Sequence, residues 1–271
     1  MNKEQANGQE AAIETVLNYY PQVFSLQGKT VLITGGSSGI GFNIAQCMLS
    51  AGATVVITGR REAKLIEATE QLGNKSAYIV NDVTELSRLD EMVEKVEIEH
   101  GKIDILVNNA GINLKKPALE VSDEEFQNIL HTNLNAVFAL TRACASRMVA
   151  RESGTILMIS SMAAYYGIDR VVAYAASKSG LEGMVKVLAS EFSKFNVRVN
   201  AIAPGFIDTN MMRVAMSNDP DRMNKALDRT PMGYFGTPDD IGWAAVFLAS
   251  EAARYITGVS LPVDGGNSIG F

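Results

Sequence analysis

Short unbroken apolar runs alternate along this chain with longer stretches whose apolar positions recur every three or four residues. The runs are Lys29-Thr-Val-Leu-Ile33, Thr54-Val-Val-Ile-Thr58, Ala77-Tyr-Ile-Val80, Ile103-Asp-Ile-Leu-Val107, Thr155-Ile-Leu-Met-Ile159 and Val197-Arg-Val-Asn-Ala-Ile202. Each fits a strand buried on both faces. Between them, Phe42 to Ser50, Leu86 to Glu99, Ser122 to beyond Met148, and Tyr174 to about Lys194 carry the helical period. Ser122-Asp-Glu-Glu125 has the form of a capping box, and Thr237-Pro-Asp-Asp240 opens another helix with proline in its first turn. Gly258-Val-Ser-Leu-Pro262 and Val263-Asp-Gly-Gly266 close the pattern.

This alternation predicts an α/β fold: one doubly wound parallel sheet of about seven strands with helices on both faces, spanning residues 25–271. Residues 1–24 read as a polar extension. Residues 206–235, rich in methionine and charge but without strong periodicity, read as an irregular lid over a substrate pocket. Ligands of such sheets bind at the carboxyl ends of the strands.

Composition narrows the function classes. The chain has 271 residues, 47% hydrophobic, enough for a substantial core. A net charge of -6 argues against a nucleic-acid surface, which needs clustered basic charge. No run of about 18 apolar residues is present to cross a membrane, and the leader lacks the form of a secretion signal, so the expectation is a cytoplasmic protein. Cys47 and Cys144 sit in apolar helical patterns and read as reduced core thiols. His100 and His131 are unclustered, which predicts no metal site.

Candidate chemistry appears at the strand ends. The first strand runs into Thr34-Gly-Gly-Ser-Ser-Gly39-Ile-Gly41 and then a helix. Glycines there let main-chain N–H groups approach a pyrophosphate, and the helix terminus adds about half a positive charge. A flexible turn is the alternative. The second strand ends in Gly59-Arg60-Arg61, where a carboxylate would hold ribose hydroxyls and repel a 2′-phosphate. With arginine there instead, NADP(H) is favoured over NAD(H). A charge-assisted contact from Arg60 is worth about 1.5–3 kcal/mol.

Tyr174 and Lys178 stand four residues apart on one helical face. Moving a tyrosine pKa from ~10 to about 7 takes roughly 4 kcal/mol. One positive charge ~4 Å away supplies on the order of that at an effective dielectric of about 20. The pair therefore reads as a proton-transfer device, although many such pairs merely decorate a helix surface.

With these residues assembled, the chain from about Leu26 to Gly266 resembles the classical short-chain dehydrogenase/reductase family. Thr34 to Gly41, Asn108 to Gly111, Ser161, Tyr174, Lys178 and Pro204-Gly205 occur in that family's order and spacing. The resemblance implies a Rossmann-type domain with Tyr174 as general acid/base, lowered in pKa by Lys178, and Ser161 holding the substrate oxygen. Asn133 would hold a water beside the lysine. It implies a cofactor site formed by Gly35, Ser37, Ser38, Gly39, Ile40, Gly41, Arg60, Arg61, Asp82, Val83, Asn109, Ala110 and Gly111. Tyr174, Lys178, Pro204, Gly205, Ile207 and Thr209 would complete it. Ser160 is the competitor to Ser161, which has the family's separation from Tyr174.

Two departures accompany the match. The family's usual Gly-x-Pro after the serine is replaced around Ala164-Tyr-Tyr-Gly167, and the basic residue some NADP-dependent members carry before Gly39 is Ser38. Among relatives the layout is most similar to gluconate 5-dehydrogenases and other sugar-acid or polyol dehydrogenases, with 3-oxoacyl-carrier-protein reductases sharing much of it. The expected partner is a small carbonyl or alcohol substrate, with Asn113, Tyr166, Arg170 and Phe206 as candidate contacts, and the expected assembly is a homotetramer. The rival of another class is a catalytically silent dinucleotide sensor.

Overall fold

All six apolar runs, and a seventh near the C-terminus, become strands of one sheet. A computed structural model describes residues 22–209, 212–213 and 220–270, so most of the expected extension (residues 1–24) and part of the expected lid lie outside the described residues. In chain order the elements are β1 (Thr30–Thr34), α1 (Gly39–Ser50), β2 (Thr54–Gly59), α2 (Glu62–Leu72), β3 (Ser76–Val80), α3 (Leu89–His100) and β4 (Ile103–Asn108). There follow α4 (Asp123–Leu130), α5 (Ala136–Ala150), β5 (Gly154–Ile159), α6 (Val172–Phe192), β6 (Val197–Pro204), α7 (Pro220–Asp228), α8 (Pro238–Ala249) and β7 (Ser260–Val263). The order across the sheet is β3-β2-β1-β4-β5-β6-β7, with every neighbouring pair parallel.

Alternate residues along each strand feed two cores. Leu32, Val56, Leu106, Ile156 and Val199 pack on one face against α3, α5 and α6, through Val93, Leu140, Met148, Leu181 and Val185. Val31, Ile33, Val55, Ile57, Ile105, Val107 and Leu157 pack on the other against α1, α2 and α8, through Ile44, Met48, Leu65 and Ile241. Each such side chain contributes about 1.5–3 kcal/mol. A one-residue slip merely exchanges two apolar faces here, so register is set by the helices packed on each face. Cys47 and Cys144 are buried and free.

Two expectations need correction. The helix opened by Ser122 is not continuous. Its capping box forms as predicted, but a π turn over His131–Asn135 separates α4 from α5. Within residues 206–235 lies a further helix, α7, and Ile207 pairs with Gly236. The low periodicity of that stretch reflects a short helix exposed along most of its surface, which needs few apolar positions.

Because β1 and β4 are neighbours while their connections leave to opposite sides, their carboxyl ends flank a crevice. The turn after β1 and the segment after β4 both open into it. This is what positions the site.

Candidate active site

The turn after β1 is shaped by its glycines. Gly39 has φ +57°, a left-handed conformation open to glycine. A Cβ on Gly41 would collide with the Asn109 amide and lie 2.5 Å from the Gly35 carbonyl. Helix α1 therefore starts as close to the strand ends as the backbone permits. It has no side-chain cap and no acidic residue in its first turn, so its first N–H groups remain available to an anion.

Polar contacts tie the ends of β1 and β4 together. The Thr34 hydroxyl accepts the N–H groups of Asn109 (3.1 Å) and Ala110 (3.0 Å). The Asn109 amide donates to the carbonyls of Thr34 (2.9 Å) and Gly35 (3.2 Å). Beyond this clip, Asn133 grips the same segment. Its amide oxygen accepts the Ile112 N–H at 2.9 Å, and its amide N–H donates to the Ile112 carbonyl at 2.8 Å and the Ser177 hydroxyl at 3.2 Å. Both amide hydrogens of this fully buried side chain are thus committed to protein atoms. Asparagine is a poor helix former, and the π turn is where this one leaves the regular ladder to reach Ile112.

Lys178 is 5% exposed and donates to the Ile159 carbonyl at 2.6 Å. Its ammonium lies 5.5 Å from the centre of the Tyr174 ring, and a Cβ on Gly111 would sit 3.8 Å from it. Tyr174, Ser161, Lys178 and Asn133 therefore gather around Gly111 and the end of β5. The Ser161 hydroxyl lies near enough to the phenol to pull its pKa down and accepts the Ala163 N–H at 3.1 Å. Ser160 points elsewhere, to the carboxylate of Glu182.

The electrostatics differ from the simple expectation. Burial pushes the Tyr174 phenol up, and the nearby Ser161 hydroxyl only partly opposes this. Burial also brings the Lys178 ammonium down to about 8, against the pull of Glu182. The protein's own groups do not pre-ionise the tyrosine. The physical reason is that one environment desolvates both partners, penalising each charged form, while the ammonium is spent on the Ile159 carbonyl.

At the other end of the crevice, the Arg60 guanidinium is 70% exposed and 3.9 Å from the Asp82 carboxylate. Asp82 is held below the usual carboxylate range: burial raises it, but the N–H and hydroxyl of Thr84, then Arg60 and His131, outweigh burial. Ser37 faces the same corner, its Oγ lying 3.9 Å from where a Gly59 Cβ would stand. Arg61 is exposed at the start of α2, and Ser38 is exposed at the start of α1. Ile40 packs on the core, and Val83 and Ala110 line one small cavity below the crevice.

Thr209 stands opposite Gly39, its methyl 4.0 Å from a Cβ there, while Ile207 is buried and paired with Gly236. Gly205 follows Pro204 and donates to the Val263 carbonyl, tying β6 to β7. Of the candidate substrate contacts, Tyr166 is engaged by Asn267 and by Arg229, which stacks 4.0 Å over its ring, and Phe206 packs on Phe235. Asn113 and Arg170 are exposed, Arg170 with a left-handed backbone at φ 65°. His131 bonds to the Thr84 carbonyl.

Comparisons with known proteins agree with this fold. A family model described as enoyl-(acyl carrier protein) reductase matches residues 35–268. The 2-dehydro-3-deoxy-D-gluconate 5-dehydrogenase of Dickeya dadantii is 39% identical over 245 residues, 90% of this chain and 96% of the relative. A 3-oxoacyl-[acyl-carrier-protein] reductase of Chlamydia muridarum is 40% identical over 89% of this chain and 98% of its own length. The crystal structure of a Burkholderia cenocepacia gluconate 5-dehydrogenase in complex with NADP and tartrate superposes with a TM-score of 0.88, at 32% identity, covering 93% of this chain and all of that one. Fold and relatives together define an oxidoreductase acting on CH–OH groups. The chain belongs to the short-chain dehydrogenase/reductase family.

The tight approach at Gly41 yields a direct expectation. Gly41→Ala should leave the protein folded by circular dichroism and weaken NADPH binding, measured by fluorescence titration, at least tenfold, since about 1.4 kcal/mol of misfit suffices. Unchanged affinity would show that the start of α1 does not set the anion site.

Proposed function

We propose that this protein interconverts a secondary alcohol and a ketone on a sugar acid or polyol, using NADP(H), with Tyr174 as general acid/base. The observation that carries the reading is the buried Lys178 ammonium held by the Ile159 carbonyl 5.5 Å from the centre of the Tyr174 ring, with Ser161 beside the phenol, at the edge of the crevice between β1 and β4. When bound, NADP(H) supplies or takes up the hydride.

The crevice suits a dinucleotide. The uncapped start of α1 offers N–H donors to a pyrophosphate. Asn81 Oδ1 is buried without a partner beside Asp82, an acceptor suited to a base amino group. Arg60 is free to swing from Asp82 to a 2′-phosphate, because so exposed an ion pair holds it by no more than about 1 kcal/mol.

In the reducing direction Tyr174 gives its proton to the carbonyl oxygen. Ser161 helps because its oxygen already accepts the Ala163 N–H, which leaves the hydroxyl proton to donate to developing negative charge. The raised phenol pKa keeps the proton in place until the oxygen becomes basic. Lys178 then faces the phenolate as an ammonium, and Asn133 holds the segment that borders the lysine. The oxidising direction reverses these transfers.

Arg170, exposed four residues before Tyr174, supports an anionic substrate. The 3-oxoacyl-carrier-protein reductase reading is the alternative, supported by the chlamydial relative. A silent sensor would have no use for the assembled Ser161, Tyr174 and Lys178. Cytoplasmic location and a homotetramer belong to the same reading. The first is supported by two free thiols, the second by Phe138 and Val187 exposed on α5 and α6.

A panel of keto-acids, ketoses and acyl thioesters assayed for NADPH oxidation tests substrate class; turnover confined to acyl thioesters would favour the alternative. Tyr174→Phe should lower kcat at least a thousandfold with little change in NADPH affinity, and retained turnover would remove the tyrosine from its role. For Arg60→Ala, KM for NADPH should rise about ten- to two-hundred-fold, with little change for NADH. An equal effect on both cofactors would exclude a phosphate contact. A Cβ on Gly59 meets only ordinary contacts beyond 3.4 Å, so Gly59→Asp should fold and shift steady-state preference toward NADH. An unaltered cofactor ratio would place the ribose elsewhere.

A further inference from the structure

We infer that Glu182 is a positioning residue for the proton-transfer pair, its carboxylate fixed by hydroxyls at two strand ends so that a negative charge stands one helical turn behind Lys178. The inference rests on the proposed function for its catalytic meaning, and on geometry for its existence. On α6 the residues Tyr174, Lys178 and Glu182 follow at intervals of four, which puts them on one face. Glu182 Oε1 accepts the hydroxyl of Ser160, the residue directly after β5, and the hydroxyl of Ser260 in β7 at 2.9 Å. Lys178 donates to the carbonyl of Ile159, the residue before Ser160. One strand end thus anchors both the cation and the anion.

This arrangement is more than a brace. Two hydroxyls donating to one oxygen hold the carboxylate at the strand ends, one helical turn from Lys178. Burial has brought the Lys178 ammonium down to about 8, and Glu182 is the charge opposing that fall. From its own helix Glu182 faces Lys178. From the segment after β5 it faces the Tyr165 phenol, which burial pushes up, followed by the carboxylates of Glu182 and Asp264, while the bond to Ser260 opposes the rise. Among the described residues, Tyr174 and Glu182 are the titratable groups facing Lys178. Without Glu182 the lysine would lose its proton within the physiological range, and the phenolate formed during reduction would face a neutral amine.

The test uses the full chain with lysines labelled at the ε-carbon with carbon-13, the Lys178 signal being assigned by its loss in Lys178→Arg. Glu182→Gln keeps an acceptor for both serines and removes the charge. Its Lys178 signal should titrate with about tenfold lower proton affinity. The basic limb of kcat/KM for NADPH-dependent reduction of 5-keto-D-gluconate, used as probe, should move to lower pH. Ser260→Ala, which removes one tie but keeps the charge, should leave the Lys178 midpoint in place.

A Lys178 midpoint unmoved in Glu182→Gln overturns the inference, whatever happens to turnover. So does an equal loss of kcat at every pH in both variants, which would mark Glu182 as a brace alone. A shifted midpoint in a protein that reduces none of the carbonyl panel supports the charge coupling and overturns the functional reading instead.

Discussion

The Thr34–Asn109 clip is the constraint on which the rest of the site depends. Parallel strands end with main-chain groups that have no neighbour left to pair with, and at a crevice such groups must find partners without filling the space a ligand needs. Here one threonine hydroxyl and one asparagine amide close the ends of β1 and β4 against each other. The closure brings Gly41 under Asn109 so tightly that a methyl group there would overlap it. From that point polar contacts continue along the sheet edge. Asn133 holds Ile112, Gly111 lies against Asn133 and Lys178, Lys178 reaches Ile159, and Glu182 joins Ser160 to Ser260. Four of the seven strands, β1, β4, β5 and β7, are linked directly or through their following turns.

This chain of contacts explains why desolvation does not leave the reacting groups mobile or unsatisfied. A buried lysine costs free energy unless its donors are placed, and the Ile159 carbonyl places one. The cost that remains appears as the lowered lysine pKa, and in the raised tyrosine pKa for the same reason. These displacements move the two proton affinities apart, the lysine falling to about 8 while the tyrosine rises, so the phenol holds its proton more firmly than the ammonium does. An arrangement that ionised the tyrosine outright would suit oxidation alone.

The sheet was legible because a parallel strand buried on both faces leaves an unbroken apolar run, and six runs lie where strands form. Tyr174, Lys178 and the glycine turn were legible because spacing on a helix and the need for bare backbone are properties of the chain itself. Other features depend on contacts distant in sequence and left weaker marks. The π turn could be suspected only from the poorly helical run His131-Thr-Asn-Leu-Asn135, and its cause, the main chain of Ile112, lies 21 residues away. Glu182 shares the four-residue spacing of Tyr174 and Lys178, yet nothing local says that Ser160 and Ser260 will meet it. The direction of the phenol pKa shift is not legible in the sequence for a related reason: Coulomb's law can be applied to a spacing, but the desolvation that outweighs it exists only once the pocket is packed.

The cofactor end follows the opposite logic. Arg60 and Asp82 form their pair at a largely exposed corner, where water and salt screen them and either partner can be released at small cost. Asp82 is held chiefly by Thr84, with N–H and hydroxyl contacts at 3.0 and 2.8 Å, so it stays in place when the arginine departs. A 2′-phosphate offers Arg60 a more highly charged partner than one carboxylate, and no acidic side chain on Gly59 repels it. Selectivity built in this way is limited by exposure to a few kcal/mol. Under the proposed function, the proton-transfer end would draw on a lysine and an asparagine buried and hydrogen-bonded to main chain, whereas the nucleotide end would need only to prefer one charge over none, and a solvated arginine is sufficient for that.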